Sequence, residues 1–192
     1  MGFLKNRSIR FYMVFLAILI MTLGGSMAAF ADSSTGATVA VNAGNLSESG
    51  PSSVSATAVT LNGSDQTTSY SLGLTVTDAR GNGAGWNLTI TSTQFSDGHG
   101  DTLATTASSI GSAPSVSCNA GSSCTNPTNS ITYPVTVPAG NTAPTPVKFF
   151  NAAANSGLGK FTITPTITIS IPANTIAGTY SSTVSVAVVS GP

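Results

Sequence analysis

Val76 to Phe95 reads VTDARGNGAGWNLTITSTQF, and the reading of this stretch decides the fold. Leading into it, Leu72, Leu74 and Val76 alternate with Gly73, Thr75 and Thr77. Beyond a loop holding Gly81, Gly83 and Gly85, Trp86, Leu88 and Ile90 alternate with Asn87, Thr89 and Thr91. Successive side chains of an extended chain point to opposite faces, so apolar residues at every second position predict two half-buried strands. The Asp, Gly and Asn residues between the runs supply the turn chemistry that joins them. Trp86 is the only tryptophan in the chain. Burying an indole removes a large apolar surface from water, so the remaining elements are expected to pack around it.

Working outward, the same period recurs. Phe161, Ile163, Ile167, Ile169 and Ile171 share one face, with Thr162, Thr164, Thr166, Thr168 and Ser170 on the other. Pro165 falls on the apolar phase and is expected to kink this strand or mark an edge. Tyr180 to Val189 forms the last strand, with Val184, Val186 and Val188 in phase. Upstream, strands are expected over Thr38 to Ala43 and, with a bulge near Ala58, over Val54 to Leu61. Asn45 to Ser53 reads as a loop between them. Leu103 to Ile110 and Ile131 to Val137 are short strands, the latter placed at an edge by Pro134. Ala113 to Asn129 and Pro138 to Thr145 read as loops. No amphipathic pattern of helical period follows the N-terminal segment. The expectation is an all-β, two-sheet antiparallel β-sandwich with Ig-like architecture.

The first 31 residues have the layout of a secretory signal peptide: Lys5, Arg7 and Arg10, an apolar run from Phe11 to Leu23, and a small-x-small site at Ala29-Phe30-Ala31. The apolar run is short of the ~18 to 20 residues that span a bilayer, which weighs against a retained anchor. Residues 32–192 then form one exported domain of 161 residues, outside the membrane. There Arg80, Lys148 and Lys160 stand against six acidic residues, a net charge of about −3. Three scattered cations make no basic patch, which excludes nucleic acid and electrostatic adsorption to anionic membranes or acidic polymers. Cys118 and Cys124 are the only cysteines, spaced C-x5-C. In an exported chain this favours a local disulfide over a metal pair, which would lack further ligands.

Gly85-Trp86-Asn87-Leu88 resembles the first motif of the WxL family, cell-wall-binding domains of Gram-positive surface proteins. Its approach through Val76-Thr77-Asp78-Ala79-Arg80-Gly81 is similar too. The family's second motif has the form YxxxLTWxLxxxP. Here Tyr180 and Pro192 stand in register, Val184 and Val188 replace the leucines, Ser185 the threonine, and Val186 the second tryptophan. The resemblance implies non-covalent attachment to the wall, with peptidoglycan or another wall glycan as partner and other surface proteins as further candidates, since neither an LPxTG-type signal nor an apolar C-terminal tail is present. The valine at position 186 implies weaker binding than in relatives with two tryptophans.

Other constellations carry less chemistry. The Gly81 to Gly85 loop precedes a strand, not a helix, so it is no phosphate cradle. Asp97, His99 and Asp101 offer too few oxygens for a hard cation and no complete ligand set for zinc, so the reading is a solvated polar turn, with no metal and no cofactor. A single His and no nucleophile elbow argue against an enzyme. Trp86 serves either as core or as a platform for a sugar face, and its alternation with Leu88 and Ile90 favours the core. The Thr162 to Ser170 face is either a recognition surface or the solvated side of a half-buried strand, and the second is favoured. The alternative function is a self-assembling extracellular matrix or fibre protein, whose edge strands pair between subunits.

Overall fold

The computed structural model describes residues 34–192, so the expected signal peptide over residues 1–31 lies outside the described residues. Residues 34–40 carry no regular structure. Twelve strands follow within residues 41–192, and the described residues contain no helix.

One layer is built on a long antiparallel ribbon. Its first side is β2 (Gln66–Ser71) continuing into β3 (Leu74–Asp78), and its second is β10 (Gly159–Thr164) continuing into β11 (Thr166–Ile171). Gly159 pairs with Asp78 at one end and Ile171 with Gln66 at the other, with no residue gained or lost between them. Pro165 interrupts the ribbon, because it has no N–H to give the ladder. Its carbonyl still accepts from the Leu72 N–H at 3.0 Å. The strand is thus interrupted at Pro165, and one predicted strand becomes two. β1 (Leu46–Ser49) flanks β3, and β6 (Ser115–Cys118) flanks β10. β5 (Ser108–Ile110) flanks β11, and β7 (Val135–Thr136) closes that edge directly after Pro134.

The second layer is centred on β4 (Trp86–Thr93), with β12 (Val184–Ser190) on one side and β9 (Val147–Ala152) on the other. The two-residue β8 (Ala139–Gly140) runs parallel to the end of β4. Leu74, Val76, Phe161, Ile163 and Ile167 from the first layer meet Trp86, Leu88, Ile90 and Phe149 from the second, all essentially inaccessible to solvent. Burying a side chain of this size stabilises by roughly 1.5 to 3 kcal/mol, so these residues hold the layers together. The architecture is the antiparallel sandwich that the alternation implies.

Several local expectations are corrected. Thr38 to Ala43 forms no strand; Val39 and Val41 are exposed, and the first strand lies in Leu46–Ser49, inside the segment expected to be a loop. Val54 to Leu61 carries no regular structure and joins no sheet. It runs beside β2 through side-chain bonds, with Thr68 Oγ1 donating to the Thr57 carbonyl at 2.6 Å and Gln66 Nε2 to that of Thr60 at 2.9 Å. β6 and β8 lie within stretches expected to be loops. β2 and β9 were not anticipated. β9 carries a bulge, since Phe150 pairs with Leu88 but Lys148 with Thr89, leaving Phe149 as an extra residue.

Candidate functional site

β4 and β12 bring the two sequence motifs together as neighbouring antiparallel strands. Ser190 pairs with Trp86, Val188 with Leu88, Val186 with Ile90 and Val184 with Ser92. Paired residues project to the same face, so Val184, Val186 and Val188 extend the apolar layer begun by Trp86, Leu88 and Ile90. The three valines are half-buried because β12 is an edge strand, whereas β4 is central. Val186, where the resemblance places a tryptophan, therefore faces inward at a partly open margin.

Trp86 itself is fully buried. Its Nε1 donates to the Gly157 carbonyl at 2.9 Å, and its ring lies 5.9 Å from that of Phe150. The hydrogen bond meets the demand of a buried indole N–H, which otherwise would lose its bond to water. No sugar can stack on this ring without opening the core. Asn87, between Trp86 and Leu88, points to the other face, where its Nδ2 donates to the Gly191 carbonyl at 2.8 Å.

The strand ends are locked by one ion pair. Asp78 continues the inward phase of Leu74 and Val76, and its carboxylate is wholly buried. A buried carboxylate needs a partner, and Arg80 supplies a two-pronged one, with Nε to Oδ1 at 2.9 Å and Nη2 to Oδ2 at 2.8 Å. The guanidinium holds the Asp78 carboxyl below the usual range, its hydrogen bonds outweighing the opposing effect of burial. Arg80 also donates to the Gly85 carbonyl at 2.8 Å and to the Ser190 hydroxyl. Three elements, β3, the start of β4 and the end of β12, thus meet on one side chain. At the tail, Lys148 Nζ donates to the Pro192 carbonyl at 3.0 Å.

Tyr180 lies outside β12, on the segment that precedes it. Its hydroxyl donates to the Ile176 carbonyl at 2.9 Å. With Val184 it lines a groove of about 830 Å³ between the Val54 to Leu61 segment and the loop from Thr175 to Ser182. Tyr70, Phe95, Leu103, Ile169 and Ile171 line the same groove. Of the residues singled out from the sequence, Trp86 and Leu88 build the core, Val188 packs against it half-buried, Tyr180 and Val184 reach the groove, and Pro192 sits at the exposed tail. Sequence reasoning missed Tyr70, Ile176 and the Val54 to Leu61 wall. The break in apolar phase at Ala58 and Val59 was the available signal that this segment is not a regular strand.

Cys118 and Cys124 form a disulfide, with their Cα atoms 6.0 Å apart, which ties the end of β6 to the following loop. Asp97 Oδ1 accepts from the His99 N–H at 2.8 Å and the Asp101 N–H at 3.0 Å, so this carboxylate organises its own turn. Those backbone bonds, that to His99 first, lower the Asp97 pKa. The outer residues from Thr162 to Ser170 are half-buried or exposed.

A family model described as WxL domain surface cell wall-binding matches residues 31–192. No curated protein and no solved structure matches the chain. With both motifs folded into one strand pair and the match running through the whole sandwich, this chain belongs to the WxL family of surface cell-wall-binding domains.

Proposed function

We propose that residues 32–192 act as a single exported, non-catalytic domain that attaches non-covalently to the Gram-positive wall, with peptidoglycan as its ligand. Family membership carries this reading: the matching description is of a surface domain that binds cell wall. Two further observations favour binding over catalysis. Both thiols are tied in a disulfide, and the His99 side chain stands 89% exposed on a turn. Export rests on the N-terminal sequence, whose basic, apolar and small-residue segments follow in the order of a cleavable signal. Sedimentation of the purified protein with teichoic-acid-free peptidoglycan sacculi tests the reading. The expected result is recovery in the pellet, and a protein that stays in the supernatant would overturn it.

One observation favours self-assembly as a second reading. β12 is an edge strand of sequence VSVAVVS without a charged residue or proline, and Val189 is 46% exposed. Natural edges of this kind are usually blunted by charge, so this one is suited to pairing with another strand. Light scattering of the protein alone checks this: a monomer at high concentration rules it out.

A further inference from the structure

The geometry points to the groove beside Tyr180 as the seat of a neutral glycan strand, the N-acetylhexosamine backbone of the wall and not its anionic polymers or charged peptides. This inference rests on the wall-binding reading and gives it a location and a ligand class.

The lining selects by charge. None of the 23 residues around the groove is Lys, Arg, His, Asp or Glu. Acidic groups neighbour it: burial first, then Asp101 and Asp97, push the Tyr180 hydroxyl above its ordinary value. Asp97 also lies beside Gly178 in the groove wall, about 3.5 Å from where a side chain there would begin. Arg80 is engaged by Asp78, Lys148 reaches the Pro192 carbonyl, and Lys160 sits on β10. A phosphate or carboxylate entering this groove would give up water, meet two acids and find no cation, an arrangement that costs free energy. An uncharged chain meets no such penalty.

The lining also selects by surface type. Tyr70, Phe95 and Tyr180 contribute aromatic rings, and Val54, Leu61 and Ile176, three of the seven exposed large apolar side chains among the described residues, stand at the same groove. Eight lining residues are Ser or Thr; Thr68 and Ser182 donate to backbone carbonyls, and an apolar peptide or lipid chain would offer the other hydroxyls no partner. Sugar rings present apolar C–H faces and polar rims at once, which suits alternating rings and hydroxyls. Tyr180 illustrates the fit: its O–H donates to the Ile176 carbonyl, leaving the oxygen lone pairs free to accept from a sugar hydroxyl or amide. The volume of about 830 Å³ falls within the usual ligand-pocket range of ~300 to 1,000 Å³.

The test combines competition with substitution. The purified protein is bound to teichoic-acid-free sacculi and challenged with chitohexaose, a soluble neutral N-acetylglucosamine oligomer, or with poly(glycerol phosphate). Chitohexaose is expected to release the protein, and the anionic polymer is expected not to. Val54→Asp and Ile176→Asp place a carboxylate at exposed positions of the groove, and each is expected to weaken sacculus binding by about tenfold or more. Val116→Asp, at an exposed position on β6 outside the groove, is expected to leave binding unchanged. Trp86 emission reports whether each variant is folded. Undiminished binding by both folded groove variants, or release by poly(glycerol phosphate) instead of chitohexaose, overturns the groove assignment while wall binding stands. Failure of the unsubstituted protein to bind sacculi overturns both.

Discussion

The indole of Trp86 is surrounded by groups that leave it no other position. Gly157 has φ of +70°, and a Cβ there would lie 2.5 Å from the Ala152 Cβ and 2.7 Å from Trp86 Nε1. The backbone thus comes close enough to accept the indole N–H because residue 157 has no side chain. Trp86→Ala is expected to destabilise the fold by roughly 3 to 5 kcal/mol, and the parent's native emission to be blue-shifted relative to free indole. Chemical denaturation with fluorescence checks both, and native emission at the wavelength of free indole would contradict the burial. Asp78 is the second residue on which much depends. Its folded pKa is lowered by Arg80, so the pair contributes stability above the unfolded carboxylate pKa and loses it as pH falls through the lower folded value. Denaturation midpoints should therefore hold from neutrality to about pH 5 and decline below pH ~4. Asp78→Ala leaves Arg80 without its buried partner and should cost roughly 3 to 5 kcal/mol. Its acid decline should be shallower but not absent, because Asp97 is also lowered. An acid profile identical to the parent's would show that the pair does not govern acid stability.

At the scale of elements, legibility followed regularity. β4 was readable from Trp86 to about Thr93 because it is central, unbroken and opens with the alternation of Trp86, Leu88 and Ile90. β9 was not, because its bulge puts Phe149 and Phe150 into the core side by side, and two adjacent buried residues erase a period of two. Val54 to Leu61 has strand composition but no ladder partner, and composition cannot report pairing. The same limit hid the groove. Its walls come from residues 54–61 and 175–182, far apart in sequence, and its character lies in lacking charge, which forms no motif. The β4 and β12 motifs were legible as motifs, but only their pairing shows that Trp86 and Val186 belong to one layer. Position 186 gives a direct test. Val186 is half-buried on the inner face of an edge strand and does not line the groove. Val186→Trp should change stability by ~1 to 3 kcal/mol through repacking at that margin, with little change in sacculus binding. A large gain in binding at unchanged stability would move the ligand site to β12.

For the molecule as a whole, the balance of charge decides how a wall can be held. Residues 32–192 carry a net charge of about −3, and the three cations are spread over the sandwich. Arg80 is committed to Asp78, Lys148 on β9 reaches the Pro192 carbonyl, and Lys160 is the second residue of β10. No face gathers enough positive charge to attract teichoic acid at a distance, and the groove offers hydroxyls and apolar rings in place of ions. Attraction between exposed charges is screened beyond a Debye length of about 8 Å at physiological ionic strength, and more strongly as salt rises. Apolar contact is not screened in this way, and excluded salts strengthen it. Binding to purified walls should therefore survive ~0.5 M NaCl and persist after the teichoic acids are removed. Sedimentation across a salt series, on intact and stripped walls, measures this. Release at moderate salt, or loss of binding with the teichoic acids, would mean that ions hold the protein to the wall. The three cations would then be the residues to substitute. If binding holds at high salt, the wall is held by uncharged contacts such as those the groove presents.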